Sequence, residues 1–219
     1  MQEAGSMGSH TSEAVTYANR VAGFQMRPAW NYEAWKLLSE VERHSLAFSR
    51  FLNLSVLDYG CGPGQLCRMV AGKGATVVGV DTSHEMLARA QEYGHGRAVS
   101  YERMDRFVPV HLGDFDLIFC LHVLGHVPNV VETLIHLRSR LKKNGRIVIL
   151  NPNKTHTQLR KPYNWLRGFK ADPTIKHRFN LGDLEHLAGV AGLRVEWSYM
   201  TGEKFLGVHS LMAVSFVKA

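Results

Sequence analysis

The stretch Ser55-Val56-Leu57-Asp58-Tyr59-Gly60-Cys61-Gly62-Pro63-Gly64 decides how this 219-residue chain is read. A short apolar run ends in a carboxylate and passes into a turn with glycine at every second position. The helical pattern Gln65–Ala71 follows at once. Strand, tight turn and helix in that order form the opening unit of a parallel α/β sheet. Glycines at such a turn let the backbone bend sharply, and they let a ligand approach main-chain N–H groups that a Cβ would block. Taken alone, the turn would equally suit close strand–helix packing.

Working outward, Thr76–Asp81, Phe115–Leu121 and Arg146–Leu150 are further short, β-branched-rich runs, with a weaker one at Val99–Met104. Runs of this kind suit strands buried on both faces. Helical spacing falls between them at Ser83–Tyr93, with Ser83 as N-cap and Met86, Leu87 and Ala90 facing inward, and at Asn129–Lys142. In the latter, Lys142-Lys143-Asn144-Gly145 reads as a helix stop. A helical stretch from Tyr32 to Leu52 precedes the first strand. A helix near Leu181–Ala191 comes before two closing strands, Leu193–Met200 and Ser210–Val217, joined by the linker TGEKFLGVH. The expected fold is a doubly wound α/β domain: a seven-stranded, mostly parallel sheet with an antiparallel edge pair. Its expected parts are an N-terminal helical lid (13–52), a cofactor-binding core (53–152), an inserted substrate cap (153–180) and a C-terminal helix with edge strands (181–219).

Three features narrow the ligand. Asp58 ends the first strand, where a dinucleotide site would need a neutral residue before its pyrophosphate, whereas a carboxylate suits an ammonium group. The spacing at Gly60, Gly62 and Gly64 is GxGxG, not the GxGxxG of nicotinamide sites. Asp81 ends the second strand about 20 residues on, where a carboxylate accepts ribose hydroxyls. A ribose, an ammonium and no phosphate together describe S-adenosylmethionine.

VLDYGCGPGQL resembles the first motif of class I S-adenosylmethionine-dependent methyltransferases, which are Rossmann-like, and VVGVDTSHEML is similar to their second, ribose-binding motif. MDRF around Asp105 stands where that family reads adenine. FDLIFCLHVLGHVPN resembles the fourth strand and its loop, and LKKNGRIVILNPN the fifth. The likeness covers residues 55 to 152 in order. It departs at Gly125, where the family often carries Glu or His. The resemblance implies that Asp58 holds the methionyl ammonium, directly or through water, and that Gly60, Cys61 and Gly62 lie along the methionyl and ribose parts. It implies that Asp81, with Thr82 beside it, clamps the ribose, and that Met86 packs on adenine. Asp105 and the Arg106 backbone would read the adenine edge, Cys120 and His122 would border the methyl group, and Arg27 would face the cofactor carboxylate. Plain core packing is the competing reading of Cys61 and Met86.

Methyl transfer from a sulfonium is an in-line displacement with a good leaving group, so alignment and water exclusion are the main tasks; orientation alone can supply about 7–11 kcal/mol. His122 is the candidate general base, and shaping the pocket is its alternative role. The substrate is expected between lid residues Tyr17, Trp30 and Tyr32 and cap residues Arg160, Tyr163 and Arg178; Trp35 and Trp165 would serve equally as anchors to the sheet. The leading reading is methylation of a nitrogen or oxygen on a small metabolite bearing an anionic group. An RNA methyltransferase using the basic cap comes second, and a non-catalytic cofactor-binding protein third.

Charge and composition bound these readings. The formal charge is +7, and the segment 151–180 holds seven basic residues against Asp172 alone, so one basic segment sits on a nearly neutral body. No Asn-Pro-Pro-Tyr-type tetrapeptide for a flat base amine is present, which weighs against RNA. The three cysteines have no CxxC spacing, so neither a disulfide framework nor a zinc site is indicated and a cytoplasmic setting is expected. His122 and His126 sit four apart without a carboxylate cluster, so no metal is expected. The most apolar stretch, Phe115 to Val127, is shorter than the roughly 18–20 residues a span needs. The first dozen residues carry no basic start or apolar run, so no secretory leader is expected.

Overall fold

Val56, Leu57 and Asp58 are buried in the first strand, β1 (Ser55–Tyr59), as its continuous apolar pattern requires. β1 pairs in parallel with β4 (Phe115–Leu121), and β4 in turn with β5 (Leu141–Pro152). β2 (Thr76–Asp81) pairs in parallel with β3 (Val99–Arg103). β7 (Val208–Lys218) runs antiparallel to both β5 and β6 (Leu193–Phe205). The strand order is β3-β2-β1-β4-β5-β7-β6, so the expected seven-stranded mixed sheet with an antiparallel edge pair is present. The computed structural model describes residues 28–44, 51–94, 98–105, 108, 110–168 and 174–219. Tyr17, Arg27 and Arg106 lie outside them, as does the side chain of Trp30.

The described chain divides into two compact units, one within Met1–Leu54 and Gly60–Val110, the other formed by Ser55–Tyr59 with His111–Ala219. In the first, α1 (Pro28–His44) starts with proline at its first position, where the missing N–H costs nothing. α2 (Gln65–Ala71) packs on β2, and α3 (His84–Glu92) packs on β2 and β3. Ser83 caps α3 as expected, its hydroxyl accepting the Met86 N–H at 3.2 Å, while Met86, Leu87 and Ala90 are buried. In the second unit, α4 (Val130–Ser139) packs on β5 and on α6 (Leu181–Val190), and α5 (Lys154–Leu166) packs on β6 and β7. Asn180 and Asp183 close a reciprocal capping box on α6, with bonds of 2.9 and 3.0 Å.

Three local expectations are corrected. The helix expected over Tyr32–Leu52 is described from Pro28 to His44; residues 45–50 lie outside the described residues, and Leu52 stands in a turn between Phe51 and Asn53, whose left-handed backbone angles are incompatible with a helix there. α4 stops at Ser139, and Leu141–Gly145 is the start of β5 rather than a helix stop. Leu141 is buried opposite Phe115, and Gly145 passes so close to the next strand that a Cβ would stand 2.9 Å from the Phe115 carbonyl oxygen. TGEKFLGVH is no linker but the tip of a continuous hairpin. β6 and β7 extend to Phe205 and Val208, joined by Leu206 and Gly207, both with positive φ as a two-residue hairpin turn requires.

Candidate active site

In the first unit, the glycine turn is stapled to the end of β2. The Gly60 and Cys61 N–H groups donate to the Val80 carbonyl at 2.8 and 3.0 Å. Asp81 accepts the Gly62 N–H at 2.9 Å on one carboxylate oxygen and the Ser83 N–H at 2.9 Å on the other. Burial pushes the Asp81 carboxyl above its ordinary range, opposed by N–H donors from Ser83, Gly62 and Thr82. A carboxylate offers about four lone-pair sites, so at least one remains for a hydroxyl donor once these three are counted. The staple is a structural duty that the sequence did not disclose. Gly64 has φ +73°, and a Cβ there would overlap the Tyr101 ring, 2.7 Å from Cζ. Arg68 holds the turn from the α2 side by donating to the Pro63 carbonyl at 2.9 Å.

The remaining expected residues of this unit divide by exposure. The Cys61 thiol is buried against Gly79, where a Cβ would stand 3.0 Å from Sγ, so the sulfur is packed in the interior. Met86 is buried, whereas Thr82 is exposed. The Asp105 side chain is 91% exposed and pairs with Arg103 at 3.3 Å. Tyr32 is exposed on α1, and so is Trp35 at 57%, which excludes Trp35 as a core anchor.

In the second unit, Asp58 is buried in β1 and Cys120 in β4. Burial, and then the Asp58 charge, push the Cys120 thiol upward, so it stays protonated and is no nucleophile. His122 leaves β4 with φ 60°, its N–H donating to the Leu150 carbonyl at 2.7 Å. A non-glycine residue held in the left-handed region at a strand end is a mark of constraint at functional sites. Burial, with His126 nearby, lowers the His122 imidazole to about 4, so it is neutral at pH 7.

His122 lines a cavity of about 170 Å³ within this unit. Its polar lining comes from His122, His126, Asn151, Thr157, His177 and Arg178, and its flat apolar walls from Pro152, Ile175 and Phe179. The segment 174–179 crosses the mouth of β4 and β5 and is held by its backbone. The Lys176 and His177 N–H groups donate to the Gly125 carbonyl at 2.7 and 3.1 Å, and the Lys154 N–H donates to the Phe179 carbonyl at 2.8 Å. His126 Nδ1 hydrogen-bonds with the Thr174 carbonyl at 3.2 Å. Gly125 accommodates this segment, since a Cβ there would stand 3.2 Å from the His177 carbonyl oxygen. The missing Glu or His at 125 is therefore matched by a chain segment packed into its space.

Arg178 thus lines the cavity with His122, whereas Arg160 and Tyr163 do not. Arg160 pairs with Glu203 and stands over the Tyr163 ring, which itself lies 6.0 Å from Phe205. These two residues join α5 to β6. Trp165 is 80% exposed and anchors nothing. Asn151, Thr157, Ile175, His177 and Phe179 were not foreseen as lining residues. The one available signal was Asn151-Pro152-Asn153, a polar break directly after the fifth apolar run. Among the described residues no group of three or more His, Cys, Asp or Glu side chains could hold a metal ion, and no helix is long and apolar enough to cross a membrane.

Residues 30–197 match the family model of a methyltransferase domain. Ubiquinone biosynthesis O-methyltransferase of Thiobacillus denitrificans is 36% identical over 103 residues, covering 45% of this chain and 44% of that protein. The same-named protein of Aromatoleum aromaticum is 33% identical over 103 residues, with the same coverage. The match therefore spans under half the length of these curated relatives. Among solved structures, magnesium protoporphyrin IX methyltransferase of Synechocystis with bound SAH superposes with a TM-score of 0.67 at 21% identity, covering 87% of this chain and 85% of that one. An S-adenosylmethionine dependent methyltransferase of Mesorhizobium loti gives 0.66 at 21% identity, covering 88% and 98%. With a family model matched over most of its length, a glycine turn stapled to Asp81 and this shared architecture, the chain belongs to the methyltransferase domain family and has the fold of the S-adenosylmethionine-dependent methyltransferases.

Proposed function

We propose that the chain transfers a methyl group from S-adenosylmethionine to a nitrogen or oxygen of a small molecule carrying an anionic group, and that it works as one methyltransferase domain. One family model running from 30 to 197 through both compact units supports the single-domain reading. The observation that carries the reaction is that one cavity holds both the neutral His122 and the cationic Arg178.

The residues present fit the cofactor. The Gly60–Gly62 turn offers backbone to a ligand with no Cβ at either glycine, and Asp81 keeps at least one acceptor site. Asp58, Gly60, Cys61 and Gly62 are assigned to the methionyl and ribose parts, Asp81 and Thr82 to the ribose, and Met86 with Asp105 to the adenine. Bound there, the sulfonium supplies an activated methyl group with a good leaving group. Everything else falls to this chain's own side chains. Arg178 holds the substrate's anionic group, Ile175 and Phe179 exclude water, and His122, already neutral, accepts the acceptor's proton if it is a hydroxyl. An amine that loses its proton before attack needs His122 only as a wall. Three buried cysteines, none in a disulfide, fit a reducing, cytoplasmic setting.

The test is calorimetry with S-adenosylhomocysteine, followed by release of that product from S-adenosylmethionine in the presence of a panel of small acids. Binding followed by acid-dependent release is the expected result. No binding by the folded protein would remove the cofactor assignment. Tight RNA binding that falls steeply with salt would favour a nucleic-acid substrate instead.

A further inference from the structure

We infer that Arg68 is a positioning residue for the cofactor: it holds the glycine turn in its ligand-accepting shape through the Pro63 carbonyl, and Gln65, tied to Asn31, holds Arg68 in place. The inference rests on the reading of that turn as part of the S-adenosylmethionine site. Gly62 and Gly64 both stand in the left-handed region, with φ of 53° and 73°. Glycine enters that region freely and leaves it as freely, so such a turn keeps one shape only where its neighbours fix it. On the β2 side the Asp81 carboxylate does so, accepting the Gly62 N–H at 2.9 Å. Pro63, between the two glycines, has no N–H, so its carbonyl is the one main-chain group by which it can be tied. That carbonyl accepts from Arg68 Nη1 at 2.9 Å. An anion thus grips the N–H of one turn residue and a cation grips the carbonyl of the next.

The rest of the guanidinium is held by side chains around it. Nη2 donates to Gln65 Oε1 at 3.0 Å, and Gln65 Nε2 donates onward to Asn31 Oδ1 of α1, also at 3.0 Å. Both ends of the Gln65 amide are therefore engaged, its oxygen by the cation and its nitrogen by an acceptor. The guanidinium carbon lies 5.6 Å from the centroid of the Tyr93 ring. Longer contacts of 3.4 Å run from Arg68 Nη1 to the Tyr101 hydroxyl and from that hydroxyl to the Gly64 carbonyl. In the same unit Arg43 and Arg103 pair with Glu40 and Asp105, whereas among the described residues no acidic side chain pairs with Arg68.

A planar fork suits this task. One nitrogen holds the turn while the other is held by Gln65, an arrangement that the single ammonium of lysine does not reproduce. Loss of the fork lets the turn populate other shapes, and apparent cofactor affinity falls by the fraction of molecules that stay competent. Bound cofactor restores the competent shape, so the defect belongs to the free protein.

The experiment titrates the full chain with S-adenosylhomocysteine by calorimetry and follows the glycine amide signals by NMR on selectively labelled protein. Arg68→Met is expected to weaken binding about tenfold or more. Its Gly62 and Gly64 amide signals should be broadened by exchange in the free protein and sharpened again by saturating S-adenosylhomocysteine. Arg68→Lys should recover only part of the affinity, because an ammonium can reach the Pro63 carbonyl but cannot fork to Gln65. Gln65→Leu should weaken binding about threefold, and adding it to Arg68→Met should change little further, because Gln65 acts through Arg68. A merely structural arginine would lower the melting temperature and leave the affinity of the folded variant unchanged, which overturns the inference. Weakened binding with sharp turn signals would make Arg68 a direct ligand of the cofactor and overturns it equally. Failure of the wild-type protein to bind S-adenosylhomocysteine strikes the cofactor reading itself. If Arg68→Met does not fold, Arg68→Lys and Gln65→Leu decide, and unchanged affinity in both overturns the inference.

Discussion

Removing the Asp81 carboxylate should cost the protein twice, once in stability and once in cofactor affinity. In Asp81→Ala the Gly62 and Ser83 N–H groups lose acceptors held at 2.9 Å. Hydrogen bonds to a charged group contribute about 1.5–3 kcal/mol each, but relief of the carboxylate's burial, which raises its pKa, returns part of that. A net loss of about 1–2 kcal/mol is expected, or roughly 2–8 °C in melting temperature for a chain of this size. The lost ribose acceptor should weaken S-adenosylhomocysteine by about 2 kcal/mol, near thirtyfold. Asp81→Asn keeps one carbonyl oxygen but turns an amide donor toward the other N–H, so it should fall between wild type and alanine on both scales. Calorimetry on variants shown to be folded by circular dichroism measures affinity, and thermal melts measure stability. A lowered melting temperature with unchanged affinity would reduce Asp81 to a staple for the glycine turn. No change in either would refute the whole account. Acidification gives a further check. Asp81 titrates above 3.8, so cofactor affinity should begin to fall at a higher pH than an ordinary aspartate would allow.

Other substitutions probe the second unit. His122→Ala should lower turnover about 10²-fold or more with cofactor affinity unchanged, if the imidazole takes a proton. Because that imidazole sits at about 4, the wild-type rate should be level through neutral pH and fall only as pH drops toward 4, and a loss of less than tenfold assigns His122 to pocket shape. Its folded pKa also lies below the ordinary imidazole value of 6.5, so its contribution to stability is whole above 6.5 and lost as pH falls through that window toward 4; acid melts of wild type and His122→Ala should diverge there. Gly125→Ala places a Cβ 3.2 Å from the His177 carbonyl oxygen and should raise the substrate KM with little effect on S-adenosylhomocysteine binding; an unchanged KM means the segment yields freely. Doubling ionic strength should alter substrate affinity only a few-fold, since Lys154 and Arg160 are already paired with Asp183 and Glu203; an even loss of affinity on removing each Lys or Arg of 151–180 would point to a phosphate backbone.

The sequence by itself determined whatever depends on neighbours along the chain. Alternation of buried strands with helical spacing, the glycine turn after Asp58, the Ser83 cap and the closing pair of strands are local patterns, and each is present in the structure. At Lys142–Gly145 the local signal misleads because the deciding contact, Phe115 opposite Leu141, comes from another strand, β4; at Leu206–Gly207 it is the length of the adjacent β6–β7 ladder that decides where the turn falls. Only the tertiary structure decided the composition of the cavity. Arg160 and Arg178 look alike in sequence, yet the first meets Glu203, 43 residues away, while the second lines the cavity with His122. Asn151 reads as the polar end of a strand until its amide is found buried without a partner. The segment that closes the cavity is held by backbone bonds to Gly125 and Lys154, and main-chain hydrogen bonds leave no side-chain signature for a sequence to display.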